Sequence, residues 1–172
     1  MDVNELRALQ APLKERYKRD PESAIVSARA EGVVKGEDIV CSVSSKAGTI
    51  VAGLHPATGG DGSKACSADM LMEALVACAG VTLKAVATAM RIPLNSARVI
   101  AEGKWDARGT LGVDRTAPIG LKEVRLLFEI DSSADSEKIK KLVQLTERYC
   151  VIYQTLANSP KLETQYKVLL QA

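Results

Sequence analysis

The apolar run from Met70 to Leu83 most restricts what this chain can fold into. It sits inside a longer stretch that reads as one helix. Ser67 is placed to cap it, Asp69 lies in its first turn where the helix dipole favours a negative charge, and the sequence Arg91-Ile92-Pro93 ends it. A membrane-spanning helix needs about 20 predominantly apolar residues. Here Glu73 and Lys84 interrupt the run, so it is expected to be a core helix, apolar nearly all round and therefore central and buried. A fold built on such a helix must supply apolar faces to cover it.

The flanking sequence supplies strands. The segments 24–34, 37–45 and 48–54 are rich in β-branched residues and divided by Lys-Gly and Lys-Ala-Gly turns, the spacing of a three-stranded antiparallel meander. The segment from His55 to Lys64 is turn chemistry throughout. Its glycines lack the lysine and following helix of a phosphate loop, which sets nucleotide binding aside. Two more strands are expected over 97–107 and 121–130, with Val124, Leu126 and Phe128 on one face and Arg125 on the other, joined by a long glycine-containing connection over 108–120. Ser136 to Tyr149 has helical spacing of Ile139, Leu142, Val143 and Leu145. Cys150 to Ala157 reads as a short helix, and Leu162 to Leu169 as a closing strand. Residues 1–21 form a separate helical arm, with Val3, Leu6, Leu9 and Leu13 at helical spacing, Pro12 interrupting and Asp20-Pro21 closing it. The result is an α+β domain over 22–172, a mostly antiparallel sheet with the central helix and a second helix pair on one face.

At 172 residues with a net charge of +2 and 3% aromatic content, the chain offers neither a basic surface for nucleic acid or membrane nor a stacking platform for bases. The first ten residues lack the basic-then-apolar pattern of a secretory signal, so a cytoplasmic, reducing compartment is expected and the four cysteines should be thiols at rest. They have no metal-ligand spacing, and His55 is the sole histidine, which leaves no bound metal or cofactor to expect and little for a histidine-assisted nucleophile to use.

Two of these cysteines stand in unlike surroundings. Cys78 lies within the apolar helix; Cys150 follows the charged sequence Glu147-Arg148-Tyr149 at a junction between helices. The Gly59-Gly60-Asp61-Gly62 loop, the run from Ser67 to Cys78 and the Glu147 to Cys150 sequence together resemble the OsmC/Ohr family of osmotically inducible and organic hydroperoxide resistance proteins, a likeness that covers about residues 24–172. The resemblance implies an OsmC-like fold and an intertwined homodimer with active sites at the subunit interface. It also implies a peroxidatic cysteine at Cys78 and a resolving cysteine at Cys150, reducing organic hydroperoxides and restored by an external dithiol of lipoyl or thioredoxin type.

The chain also departs from that pattern. Apolar burial raises a thiol's pKa, so Cys78 needs help to ionise. The hydroperoxide-resistance branch uses an arginine paired with a glutamate, but here the matching turn, Val33 to Glu37, has no arginine and Ala68 occupies the glutamate position beside Asp69. On a regular helix Asp69 and Glu73 point about 180° and 140° away from Cys78. Arg29, Arg115 and Arg148 are the candidate cations, with Asp69 and Glu73 as further supporting groups. Where many relatives have proline after the second cysteine, this chain has Val151. These departures leave a competing reading open, a non-enzymatic dimer of the same fold that binds a small apolar ligand at the subunit interface. A thiol-based acyl transferase is a third, disfavoured by the lack of a histidine base.

Overall fold

The computed structural model describes residues 1–45 and 48–169. The arm is a continuous helix, α1 (Val3–Arg19), opened by a capping box in which the Asp2 carboxylate accepts from the Asn4 and Glu5 amides while Glu5 accepts from the Asp2 amide. Pro12 does not interrupt it. An exposed helix loses one backbone bond there and continues. A 3₁₀ turn at Pro21–Ala24 leads to β1 (Glu31–Val33), much shorter than the strand expected over 24–34. β1 pairs antiparallel with β2 (Val40–Ser45), which pairs antiparallel with β3 (Gly48–Gly53). Of the Lys46-Ala47-Gly48 turn, the first two residues lie outside the described ones.

β3 is tied to the chain ahead of the central helix by reciprocal backbone bonds, Gly53 N–H to the Ala65 carbonyl at 3.0 Å and Ala65 N–H to that of Val51 at 3.1 Å. Between them, the glycine loop follows from sterics. Gly59 holds the left-handed conformation (φ 97°), and a side chain at Gly60 would collide with the Leu54 carbonyl oxygen. The loop is packed as a turn.

The central helix, α2 (Ser67–Met90), has the expected span, but its N-cap is Cys66 rather than Ser67. It ends on Arg91 in the left-handed conformation (φ 56°), where the Ile92 amide reaches back to the Ala87 carbonyl at 2.9 Å and Ile92 itself closes onto the core. β4 (Ser96–Lys104) and β5 (Glu123–Asp131) form a second antiparallel pair, connected through the one-turn helix α3 (Ala107–Thr110). Along β5 the residues Leu126, Phe128 and Ile130 face inward, a two-residue period that meets α2. α4 (Ser136–Tyr149) is capped by Asp135, which accepts from the Lys138 amide at 2.9 Å. α5 (Val151–Ala157) follows without a loop, Cys150 closing one helix and opening the other.

The core is the stripe of α2 that repeats every three to four residues. Leu83 and Ala87 pack with Ile92 and with Leu142 of α4; Leu75 and Ala79 pack with Cys150. Leu75, Leu83 and Leu142 are fully buried, worth about 1.5–3 kcal/mol each. The helix is not buried all round. Within one chain its most apolar window is only 22% buried, and Val81 on the opposite face is 73% exposed.

The closing strand expected over Leu162 to Leu169 does not form. The segment has no regular structure, and Leu162, Tyr166, Val168 and Leu169 are all exposed. A strand exists only by pairing, and this segment lies on no edge of its own chain's sheets. The antiparallel strands and grouped helices otherwise agree with the α+β architecture expected for an OsmC-like fold.

Candidate functional site

Cys78 and Cys150 are brought together. Cys78 lies midway along α2, one position from the buried stripe residue Ala79, and is half-buried; Cys150 is fully buried at the α4–α5 junction, where the continuous turn from one helix to the other presses it against Leu75 and Ala79. Both thiols are free and share one apolar cluster with Val99 and Ala101 of β4, Leu126 and Phe128 of β5, and Ile152 and Tyr153 of α5. Within that cluster each thiol lies near enough to the other to influence its ionisation.

Their ionisations are pulled apart. Burial pushes the Cys78 thiol up, but donors around the sulfur outweigh it: the Ile152 amide, the Cys150 thiol, the Val151 amide and the Thr82 hydroxyl hold it below the usual range. Burial pushes Cys150 up too. The Tyr153 amide opposes this, reaching its sulfur at 3.5 Å, yet the neighbouring Cys78, whose negative charge once ionised disfavours a second one, helps keep the value above the usual range. Of the pair, Cys78 is thus biased toward the thiolate and Cys150 toward the thiol.

None of the arginines expected to ionise Cys78 is among the groups acting on it. Arg29 is exposed and pairs with Glu31 at 2.7 Å, Arg148 lies over the ring of its neighbour Tyr149, and Arg115 is exposed on the connection after α3. Asp69 and Glu73 line a different cavity of about 660 Å³, with Met72, Val76, Glu102, Lys104 and Trp105, on another side of α2, in keeping with the angles expected from helix geometry. The chain on its own does not bring these supporting groups to the sulfur. His55 accepts from the Ala57 amide through Nδ1 and meets Trp105 edge-on at 5.5 Å, and the Cys41 sulfur fills the space left by Gly32 on the neighbouring strand. Each of these is accounted for by local packing.

Sequence reasoning missed the donors. Backbone amides carry no sequence signature of their own, but Val151, not being proline, keeps an N–H that can help lower the Cys78 thiol. Thr82, one helical turn beyond Cys78, was legible by spacing alone. Beside the cluster lies a cavity of about 440 Å³, walled by Leu75, Val124, Leu126, Tyr153 and Leu156 and rimmed by Lys122, Glu123 and Glu147.

Comparison with known structures agrees with this architecture. An OsmC-like protein from Mycoplasma pneumoniae superposes with a TM-score of 0.65 at 22% identity, covering 78% of this chain and 89% of that one. An organic hydroperoxide resistance protein from Elizabethkingia anophelis gives 0.64 at 16% identity, over 79% and 91% of the two chains. A protein from Legionella pneumophila described as an organic hydroperoxide resistance protein OsmC gives 0.62 at 18% identity, over 78% and 92%. At such identities the likeness is one of fold. No curated protein matches the chain in sequence. The profile of the family described as OsmC-like protein matches residues 60–165, which takes in both cysteines and well over half of the sequence, and the chain belongs to that family.

Proposed function

We propose that this protein is a thiol peroxidase that reduces organic hydroperoxides to alcohols. The observation that carries the reading is the meeting of Cys78 and Cys150 in one apolar cluster, with the first held toward its thiolate and the second toward its thiol. The Cys78 thiolate attacks the terminal oxygen of RO–OH. The O–O bond breaks, its electron pair leaves on the alkoxide, which takes a proton to become ROH, and Cys78 becomes a sulfenic acid. Cys150 then loses its proton and attacks that sulfur, expelling water and forming a disulfide. A dithiol returns two electrons and two protons and is itself oxidised. The apolar wall of the adjoining cavity, with Leu75, Val124, Leu126 and Leu156, suits the organic part of the substrate.

The reading includes a homodimer. The exposed face of α2, the exposed apolar residues of the first sheet such as Ile50 and Val51, and the unpaired tail carrying Leu162, Tyr166 and Val168 together leave more apolar surface open than a monomer usually tolerates. Sedimentation as a monomer at micromolar concentration would remove this part of the reading.

The test of the chemistry is direct. The reduced protein is treated with cumene hydroperoxide and its thiols are mapped by mass spectrometry. A Cys78–Cys150 disulfide with one equivalent of oxidant consumed is the expected result, and both thiols intact after exposure would reject the peroxidase. The cavity of about 440 Å³ also favours a second reading, a dimer that only binds a small apolar ligand. That reading predicts that Cys78→Ser leaves ligand binding unchanged and that the wild type consumes no oxidant.

A further inference from the structure

The two sulfurs differ in reach. Cys150 is 0% exposed, packed with Leu75 and Ala79 of α2 and against Ile152 and Tyr153 of α5, the helix that follows it without a loop. Cys78 packs against the same cluster but is only half-buried, so part of it is open to solvent. A thiolate that breaks a disulfide attacks one sulfur, and the other sulfur leaves; the choice depends on the leaving group and on access. At this site the two disagree. Cys78 is the better leaving group, because its thiol is lowered where that of Cys150 is raised, and this favours attack on Cys150. That preference is a graded one. A sulfur with no exposed surface, by contrast, is not attacked until the packing over it opens. Access decides.

We propose that a reducing dithiol enters at Cys78, so that Cys78 carries the mixed disulfide and Cys150 is the sulfur released first. The inference rests on the peroxidase reading for the origin of the disulfide, and on burial for the direction of its reduction. One thiolate of the dithiol attacks the Cys78 sulfur. The Cys78–Cys150 bond breaks, and its electron pair leaves on Cys150, which takes a proton. The Tyr153 amide, 3.5 Å from the Cys150 sulfur, is in place to receive the charge as it develops. The dithiol's second thiolate then attacks its own sulfur in the mixed disulfide, and the bond to Cys78 breaks with the electron pair on Cys78. Here the lowered Cys78 thiol is an advantage, since it is the group that leaves. The dithiol ends as a disulfide and two electrons have passed to the protein; one of its protons rests on Cys150 and the other goes to solvent. A monothiol has no second sulfur and halts at the adduct on Cys78 until another molecule reaches it.

The experiment uses the full-length wild type, oxidised with diamide so that the disulfide forms without any peroxidase activity. Remaining thiols are blocked with iodoacetamide. The protein then meets N-acetylcysteine for seconds and is quenched in acid with N-ethylmaleimide, before the freed thiol can attack back. Peptide mapping by mass spectrometry is expected to find N-acetylcysteine on Cys78 with maleimide on Cys150 in about tenfold excess, or more, over the reverse. In urea, where burial no longer separates the sulfurs, the two adducts should approach equal amounts. No Cys78–Cys150 disulfide after diamide, no adduct on the native protein, equal adducts, an excess on Cys150, or a native excess that urea leaves unchanged would overturn the proposal. The peroxidase reading is scored separately, by consumption of cumene hydroperoxide. An excess on Cys150 in a protein that consumes it defeats the direction of reduction and leaves that reading standing. An excess on Cys78 in a protein that consumes none upholds the direction and defeats the reading.

Discussion

Oxidation should stabilise this protein strongly, by an amount that follows from where its cysteines lie in the chain. A bond between Cys78 and Cys150 closes a loop of roughly 70 residues, and the loss of unfolded-chain entropy for a loop of that size corresponds to about 4 kcal/mol. Against it stands the Cys150 sulfur's contact with the Tyr153 amide at the start of α5, which the new bond disturbs. Losing a helix cap costs about 1 kcal/mol, so a net gain of about 3 kcal/mol is expected. For a domain of this size each kcal/mol moves Tm by about 2–4 °C, which makes the shift about 6–12 °C. The assay is a thermal melt of the reduced protein and of protein treated with one equivalent of cumene hydroperoxide, at fixed protein concentration because dimerisation also moves Tm. Urea titration adds a second readout, since a cross-linked unfolded state exposes less surface and lowers the m-value. An oxidised form with the same Tm and the same m-value would refute the reasoning. So would a disulfide mapped to Cys41 or Cys66.

Four other outcomes are expected. In native protein near pH 7, iodoacetamide should modify Cys78 well before Cys150, because one thiol is lowered and half-exposed while the other is raised and fully buried, and the order should vanish in urea. The linked stability has opposite signs: the Cys78 contribution is present above the unfolded thiol value and lost as pH falls through the lowered folded one, whereas that of Cys150 is lost as pH rises through its raised folded value. Leu142→Ala removes a fully buried side chain held between α2 and α4 and should destabilise by about 3–4 kcal/mol in urea titration. Gly60→Ala drives a methyl group into the Leu54 carbonyl and should cost about 3 kcal/mol, whereas Gly120→Ala, where an added Cβ meets nothing, should lie within about 0.5 kcal/mol of wild type.

The sequence was most legible where one residue type reports one constraint. The span of α2, the span of α4 and the pairing of β4 with β5 all follow from apolar periods of three to four or of two, and the two cysteines singled out by motif and position meet in one cluster. Where the outcome depended on a partner, it was not legible. Leu162 to Leu169 alternates like a strand, but alternation describes a face and says nothing of which edge receives it. The apolar character of α2 likewise predicted burial without saying that only one stripe is covered within its own chain. At the site, the arginines that charge alone would nominate are engaged elsewhere or exposed, and the lowering of the Cys78 thiol comes from uncharged donors, which the sequence does not flag.

That choice of donors fits the surroundings of the sulfur. A guanidinium carried into an apolar cluster must shed its own hydration, a penalty that can exceed its attraction for the thiolate. The amides of Val151 and Ile152 need partners in any case, since they open a helix. As the site becomes drier the thiolate loses water, but hydrogen bonds to it strengthen in the lower dielectric. A second copy closing over the open face of α2 would push burial and donors in opposite directions at Cys78. The balance between them is readable as a concentration dependence of the alkylation midpoint. A midpoint that rises sharply on dimerisation would mean that neutral donors do not suffice in the closed site, and that the partner must bring the missing cation.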